Sequence, residues 1–121
     1  MREIPERPAG WQRLRKAFGY SLAGLATAFR NEPAFRQIVA LNALLIPSSF
    51  FLPVSAFERT LLIVVCLFAV VVELINSAIE AAIDRISVEF HPLSKNAKDM
   101  GSAAQLIALV MIIVTWVGVL V

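Results

Sequence analysis

The chain opens with a polar stretch that is followed by an amphipathic one. Residues 1–10, MREIPERPAG, are charged and contain two prolines, which predicts a flexible lead-in. From 11 to 30 apolar side chains return every three or four residues, so they share one face of a helix. Basic residues lie opposite this partly aromatic face, and the pattern predicts a helix in the membrane interface. The apolar face consists of Trp11, Leu14, Phe18, Leu22, Leu25 and Phe29.

Three longer apolar runs follow, and they predict transmembrane helices over 34–51, 60–86 and 97–121. Pro47 and Pro53 are expected to bend or end the first of these helices near its far side. The charged segment 89–99 predicts a turn, in which Pro92 stops the second helix and Ser94 is available to cap the third. The pattern therefore predicts an all-α polytopic membrane protein of one domain, with a surface helix and three transmembrane helices.

Composition supports a membrane protein and narrows the function classes. Hydrophobic residues make up 59% of the 121 residues, above the roughly 45–50% of soluble domains. The formal net charge of +2 is too small to indicate a nucleic-acid partner, and no basic patch with interleaved aromatic residues occurs. A disulfide within the chain is excluded because Cys66 is the one cysteine, and we expect it to be a buried structural thiol. The polar start has no apolar core typical of a signal peptide.

The placement of basic residues predicts the orientation. Seven of them lie in the segment that ends at Arg36, and three more flank or lie in the second loop, Arg85, Lys95 and Lys98. The first loop has Arg59 alone, and the C-terminal run has none. By the positive-inside rule, the N-terminus and the second loop are cytoplasmic, whereas the C-terminus is external.

The most informative feature is a polar stripe on the second apolar helix. At about 100° per residue its members fall within roughly 80° of one another. A carboxylate facing lipid costs at least about 2.5 kcal/mol, so the stripe must face protein, water or an ion. Three spans enclose little interior, so partner chains are needed and a homo-oligomer is predicted. The stripe consists of Glu73, Asn76, Ser77, Glu80 and Asp84.

The residues that carry chemistry are rich in oxygen and poor in nitrogen and sulfur ligands. No GxxxxGK[ST] loop, GxGxxG motif or soluble-kinase signature occurs, and one histidine with one cysteine cannot form a typical zinc site. Carboxylates near basic residues suit Mg²⁺ that is shared with a phosphate substrate. Glu73, recessed in apolar surroundings, is the candidate base. The acids are Glu32, Glu73, Glu80, Asp84 and Asp99, and the candidate phosphate partners are Arg13, Lys16, Arg36 and Lys98.

Two other interpretations of the stripe stay open at this point. Its members can form hydrogen bonds and ion pairs that hold a helix bundle together. They can also line a path for protons or ions in an ion-conducting membrane oligomer. Residue spacing by itself does not separate these two interpretations from catalysis.

A resemblance favours catalysis. The stretch ELINSAIEAAIDRISVEFHPLSKNAKDMGSAAQLIA (73–108) resembles the prokaryotic diacylglycerol kinase family, which are small integral-membrane lipid kinases. KAFGYSLAGLATAFRNEPAFRQ (16–37) is similar to the N-terminal part of that family. The resemblance implies a homotrimer in the bacterial inner membrane, with one surface helix and three transmembrane helices per chain and active sites shared between subunits.

The resemblance also implies a role for individual residues. Glu73 matches the catalytic base, and Glu32 and Glu80 match the ligands of the Mg²⁺ that accompanies ATP. Asn76 and Asp84 match supporting positions of the active site, to which we add Ser102, although Ser102 also suits close helix packing. The positions that match ATP contacts are Arg13, Tyr20, Ser21, Glu32, Glu80, Lys98 and Asp99.

The function implied by this resemblance is phosphorylation of diacylglycerol to phosphatidate by MgATP at the cytoplasmic face of the membrane. The AKDMGSAA form at 97–104 favours diacylglycerol as the substrate. Undecaprenol is the alternative, because a related branch of the family uses that lipid and shares most of the motif.

Overall fold

The structure is a computed structural model that describes Ile4, Glu6 and residues 9–121. In this part of the chain the secondary structure is entirely helical, as predicted, and consists of four helices: α1 (Gly10–Asn31), α2 (Pro33–Ser49), α3 (Ala56–Ile86) and α4 (Pro92–Leu120). Most of the predicted lead-in over 1–10 lies outside the described residues.

Two arginine side chains stabilise the junctions between the first three helices. Arg36 of α2 donates to the carbonyls of Phe29 and Arg30 at 2.8 and 3.1 Å, which satisfies the C-terminal end of α1. Arg59 of α3 donates in the same way to the carbonyl of Ser49, at 2.9 Å, where α2 ends. Arg36 is therefore used for helix capping within this chain, whereas the sequence made it a candidate phosphate partner.

The local sequence explains where α3 and α4 begin. Ser55 and Glu58 form a reciprocal capping box that starts α3, with bonds of 3.1 and 3.0 Å. His91 caps α4 by accepting the N–H of Leu93 at 3.1 Å. Pro92 is the first residue of α4, where a missing N–H costs nothing. The helix thus begins five residues before the predicted start at 97, and Pro92 opens it.

α3 and α4 pack as an antiparallel pair over their whole length. Lys98 contacts Asp84, Gln105 contacts Glu73, and Trp116 donates to the carbonyl of Leu62 at 3.3 Å. These three contacts follow one another along the two helices in opposite directions, as expected for long helices joined by a short turn. The apolar core includes α2 as well and consists of Ile38, Val65, Ala69, Ala108 and Ile112. Cys66 is buried beside this core, as predicted.

The distribution of polarity differs from that in a soluble domain. Among Ile4, Glu6 and residues 9–121, six polar residues are buried beside the apolar core, and large apolar side chains cover the outside of α3 and α4. These two helices have 31 and 29 residues and are long and apolar enough to cross a membrane. An exposed apolar surface of this extent indicates contact with lipid or with other subunits. The buried polar residues are Asn42, Ser49, Glu73, Asn76, Ser77 and Gln105.

Candidate functional site

Glu73 lies in the interior of the bundle, where α3 meets α4. Its side chain is 4% exposed, and its Oε2 accepts a hydrogen bond of 3.0 Å from Nε2 of Gln105. The same Nε2 donates to the carbonyl of Ala69, one turn earlier on α3, at 3.2 Å. The one carboxylate at this depth is therefore held by a neutral donor from the facing helix. Such a group can accept a proton without first breaking an ion pair.

Asn76 and Ser77 continue the same buried face of α3 by one turn. Both side chains are 8% exposed, and Oδ1 of Asn76 and Oγ of Ser77 have no hydrogen-bond partner in the described part of the chain. Asn76 lies directly against Gly101 of α4, where an added Cβ would overlap its side-chain amide. Buried polar atoms without partners are costly. Their position next to Glu73 marks this face as a place where a polar ligand group can bind.

Glu80 lies on the stripe, about two turns of α3 closer to the second loop than Glu73, and Glu32 lies at the junction of α1 and α2. Both residues are partly exposed. Both are close enough to Glu73 to act on its carboxyl group electrostatically. Glu32 lines a cleft of about 380 Å³ between α1 and α3. Ser77 and Ala81, which flank Glu80 along α3, line the same cleft. The chain thus brings three of the predicted acids to one region, with Glu73 deepest.

The predicted charged residues of the second loop lie around a separate groove of about 330 Å³ at the end of the bundle. Lys98 and Asp84 form an ion pair of 2.7 Å across α3 and α4, with side chains 41% and 51% exposed. Lys95 and Asp99 form a second pair, of 2.6 Å, along α4. Exposed pairs of this kind contribute at most about 1 kcal/mol, so they add little to stability. Ser102 lies one turn further along α4 and is exposed.

The predicted residues of α1 do not reach this region within one chain. Arg13, Tyr20 and Ser21 are all exposed, and Ser21 donates to the carbonyl of Ala17 on its own helix, at 3.0 Å. Within α1 itself, Ala28 is the one buried residue. About 27 Å of helix separates Arg13 from Asn31. A single chain therefore cannot bring Arg13 and Glu32 to the same phosphate group.

The acids present do not form a cage for a metal ion by themselves. Among Ile4, Glu6 and residues 9–121, no group of three or more His, Cys, Asp or Glu side chains lies close enough to hold one. Magnesium, however, is commonly bound by one or two carboxylates, with phosphate oxygens and water completing the shell. Glu32, which lines the cleft, and Glu80, which follows the cleft residue Ser77 by one turn of α3, are both partly exposed and fit this kind of shared site.

Two residues of this region were not singled out by sequence reasoning. Gln105 contacts Glu73, and Gly101 makes room for Asn76. The signal for Gln105 was present, because it is the one strongly polar side chain between Ala103 and Val114. An amide in an apolar helix is expected to face the bundle interior. The signal for Gly101 was weaker, since small residues pack closely in many membrane helices.

Comparison with known proteins identifies the family of the chain. The model of the family described as prokaryotic diacylglycerol kinase matches residues 19–120. A diacylglycerol kinase of Pseudomonas aeruginosa is 63% identical over 111 residues, which cover 92% of this chain and 90% of that protein. Proteins of the same name from Helicobacter pylori and Escherichia coli K12 are 50% and 49% identical. These matches cover 94% and 88% of this chain and 89% and 88% of the relatives. The chain belongs to the prokaryotic diacylglycerol kinase family.

Proposed function

We propose that this protein transfers the γ-phosphoryl group of ATP to the hydroxyl group of diacylglycerol, which gives phosphatidate and ADP. The observation that carries the proposal is a buried carboxylate, Glu73, beside unpartnered polar atoms inside an apolar helix pair. The names of the relatives point to the same substrate. A lipid alcohol can approach through the apolar surface, and a soluble nucleotide can approach from the charged end.

Glu73 is the general base of the proposed reaction. Its carboxylate accepts the proton of the lipid hydroxyl as the oxygen attacks the terminal phosphorus in line with the departing ADP oxygen. Burial excludes bulk water from the carboxylate, so that water does not compete with the lipid hydroxyl. Ser77, whose buried hydroxyl lacks a partner within the described residues, can donate to an oxygen of the transferred phosphoryl group, and Asn76 supports the site beside it.

MgATP is the proposed donor, and the charged end of the bundle is its proposed site. Glu32 and Glu80 would hold the magnesium, and the ion when bound neutralises charge on the phosphates. Lys98 and Asp99 border the groove at the end of the bundle and contact the nucleotide. Arg13, Tyr20 and Ser21 approach the phosphates from α1, and Asp84 and Ser102 support the site. These roles rest on the family motif and on the clustering of the acids.

The proposed assembly is a homotrimer with three spans per chain in the bacterial inner membrane. The apolar face of α1 is 41–77% exposed, which supports a helix in the interface. α2 has 17 residues, at the lower limit for a span, and the uncharged stretch from Ile38 to Phe57 extends beyond it. The distribution of lysine and arginine supports a cytoplasmic N-terminus and an external C-terminus.

A shared active site reconciles the length of α1 with the roles proposed for its two ends. Because Arg13 and Glu32 of one chain lie too far apart, Arg13 would serve the site of a neighbouring subunit. The exposed polar side of α1 and the exposed apolar faces of α3 and α4 leave surface for such a neighbour. A cyclic trimer then contains three equivalent sites, each with residues from two chains.

Glu73→Gln tests the proposed base. The substitution keeps the size of the side chain but removes its ability to accept a proton, so turnover should fall by at least about 100-fold. The purified protein is assayed in lipid vesicles for phosphatidate and ADP, with diacylglycerol and undecaprenol supplied in parallel. Nucleotide binding and oligomeric state should remain close to those of the unaltered protein.

Glu6→Gln is the matched control, since it makes the same chemical change at an exposed position before α1. Full activity of Glu73→Gln would remove the assignment of the base. An unaltered protein that phosphorylates undecaprenol but not diacylglycerol would correct the substrate. Proton or ion flux across the vesicles without nucleotide would instead support the ion-conducting interpretation of the stripe.

A further inference from the structure

The hydrogen bond between Gln105 and Glu73 is a buried contact between two side chains of α3 and α4. The two side chains are 9% and 4% exposed, and they belong to helix positions 32 residues apart in the chain. Gln105 also donates to the carbonyl of Ala69, so its amide nitrogen touches α3 at two points. In the described part of the chain, Gln105 is the one side chain that donates to Glu73.

The orientation of the Gln105 amide follows from its partners. The carbonyl of Ala69 and the carboxylate of Glu73 are both acceptors, so the NH₂ group must face them. Oε1 of Gln105 is thereby turned away, and it is buried without a partner among the described residues. This arrangement leaves one side-chain oxygen unsatisfied in order to give Glu73 a donor.

The charges around Glu73 make a neutral donor important. The ionisable groups that act on it are Glu80 of α3 and Glu32 between α1 and α2, and both are negative when ionised. α2 from Ile38 to Ser49 and α4 from Gly101 to Leu120 contain no charged side chain. No cation on the facing stretches of α2 and α4 can therefore stabilise the carboxylate, and the Gln105 amide takes that role.

We propose that Gln105 is the positioning residue of the base: its amide holds the Glu73 carboxylate in one orientation and favours the proton-accepting form. The assignment deepens the proposed function and rests on it, because it gives Glu73 a partner that the reaction requires. Gln105 contacts the carboxylate of Glu73 rather than the substrate, and it acts through the rotamer and the ionisation of Glu73.

Gln105→Met tests this role, because methionine has a similar length and no N–H donor. The infrared spectrum of the Gln105→Met variant is recorded in vesicles without nucleotide while the pH is varied. The signal of the Glu73 carboxyl group is identified by subtraction of the Glu73→Gln spectrum. We expect the midpoint of that signal to move upward by about one pH unit or more, since a hydrogen bond to the charged form is lost. We also expect kcat to fall about tenfold, with the half-saturating MgATP concentration changed less than about twofold.

Asn42→Leu is the matched control. Asn42 is also a buried amide, but it donates to the carbonyl of Ile38 on its own helix, at 3.0 Å. Its replacement should leave the midpoint and the rate unchanged. Equal midpoints in Gln105→Met and the unaltered protein would overturn the proposal, and so would a midpoint shift of the same size in Asn42→Leu.

Gln105→Glu provides a second test of the contact with Glu73 if the Gln105→Met variant does not assemble. The second carboxyl group would lie against Glu73, so the two should share a proton and titrate as a coupled pair with widely separated midpoints. Two independent, ordinary midpoints would overturn the contact. Because the infrared titration needs no turnover, an unaltered protein inactive on every lipid alcohol would refute the proposed function and leave the test of Gln105 valid.

Discussion

Gly101 and Asn76 meet where α4 lies against the polar face of α3, and the absence of a side chain at 101 is what permits this contact. A Cβ at Gly101 would overlap the Asn76 amide, whereas a Cβ at Gly118 of the same helix would meet nothing within 4 Å. Asn76 itself is buried, with 8% exposure. At the scale of the residue, Gly101 is therefore a requirement of the candidate site.

Gly101→Ala should lower both stability and turnover, because either Asn76 or α4 must move to accept the methyl group. We expect a cost of about 1–3 kcal/mol in unfolding free energy and a loss of activity of at least tenfold. Thermal unfolding in detergent and phosphatidate formation in vesicles provide the measurements. Gly118→Ala adds the same methyl group in open space and should be neutral or slightly stabilising. Similar behaviour of the two variants would contradict the close contact.

At the scale of the element, the junction between α1 and α2 determines the position of Glu32. Glu32 is at once the C-cap of α1 and the N-cap of α2, with an extended backbone of φ −115° and ψ 102°. Arg36 holds this bend by donating to the carbonyls of Phe29 and Arg30. Pro33 reinforces it, because proline suits the first position of α2 and cannot continue α1.

Arg36→Met should loosen the junction and impair the proposed magnesium site, although Arg36 would not contact the ion. We expect the MgATP concentration for half-maximal rate to rise several-fold, with kcat at saturation changed by less than about threefold. Steady-state kinetics at varied MgATP provide the measurement. Arg30→Met is the control, because it removes a guanidinium from the same helix end but keeps the carbonyl that Arg36 contacts. Equal effects of the two substitutions would indicate that only positive charge matters.

At the scale of the whole molecule, several polar groups are buried beside the apolar core while large apolar groups cover the outside. The bundle encloses Glu73 and Gln105 while the outer faces of α3 and α4 carry large apolar side chains. One chain also leaves α1 with Ala28 as its single buried residue. These surfaces agree with a protein that works in a lipid environment and, in our proposal, with neighbouring copies of itself.

Coexpression of Arg13→Ala with Glu73→Gln tests whether the site is shared. Each variant is expected to be nearly inactive alone. In randomly mixed cyclic trimers about one quarter of the sites would combine an intact Arg13 with an intact Glu73 from the neighbouring chain. Phosphatidate formation by the purified mixture should therefore recover to about that fraction.

Coexpression of Glu80→Gln with Glu73→Gln is the control and should recover no activity, because both residues serve the site from the same α3. Absence of recovery in the first pair would place Arg13 outside the shared site.

The sequence by itself determined that the protein is all-α and to which family it belongs. It also determined that the polar stripe is buried near Glu73. Hydrophobic periodicity depends only on the order of residues, so α1, α2 and α3 could be located closely from it. α4 starts at Pro92 and not at the predicted residue 97, because the sequence pattern assigns Pro92 to the end of the preceding helix. Proline suits both places, and the His91 cap that distinguishes them is visible only in the folded chain.

Only the tertiary structure decided which side chains meet. Gln105 reaches Glu73 because α4 turns back antiparallel to α3 in one particular register, and no local pattern encodes a contact between residues 32 positions apart. The same register brings Gly101 onto Asn76 and pairs Lys98 with Asp84. The bend between α1 and α2 directs Arg36 to the end of α1, a use that its position in the sequence does not distinguish from binding phosphate. Periodicity selects the face of a helix, whereas packing between helices selects the partner.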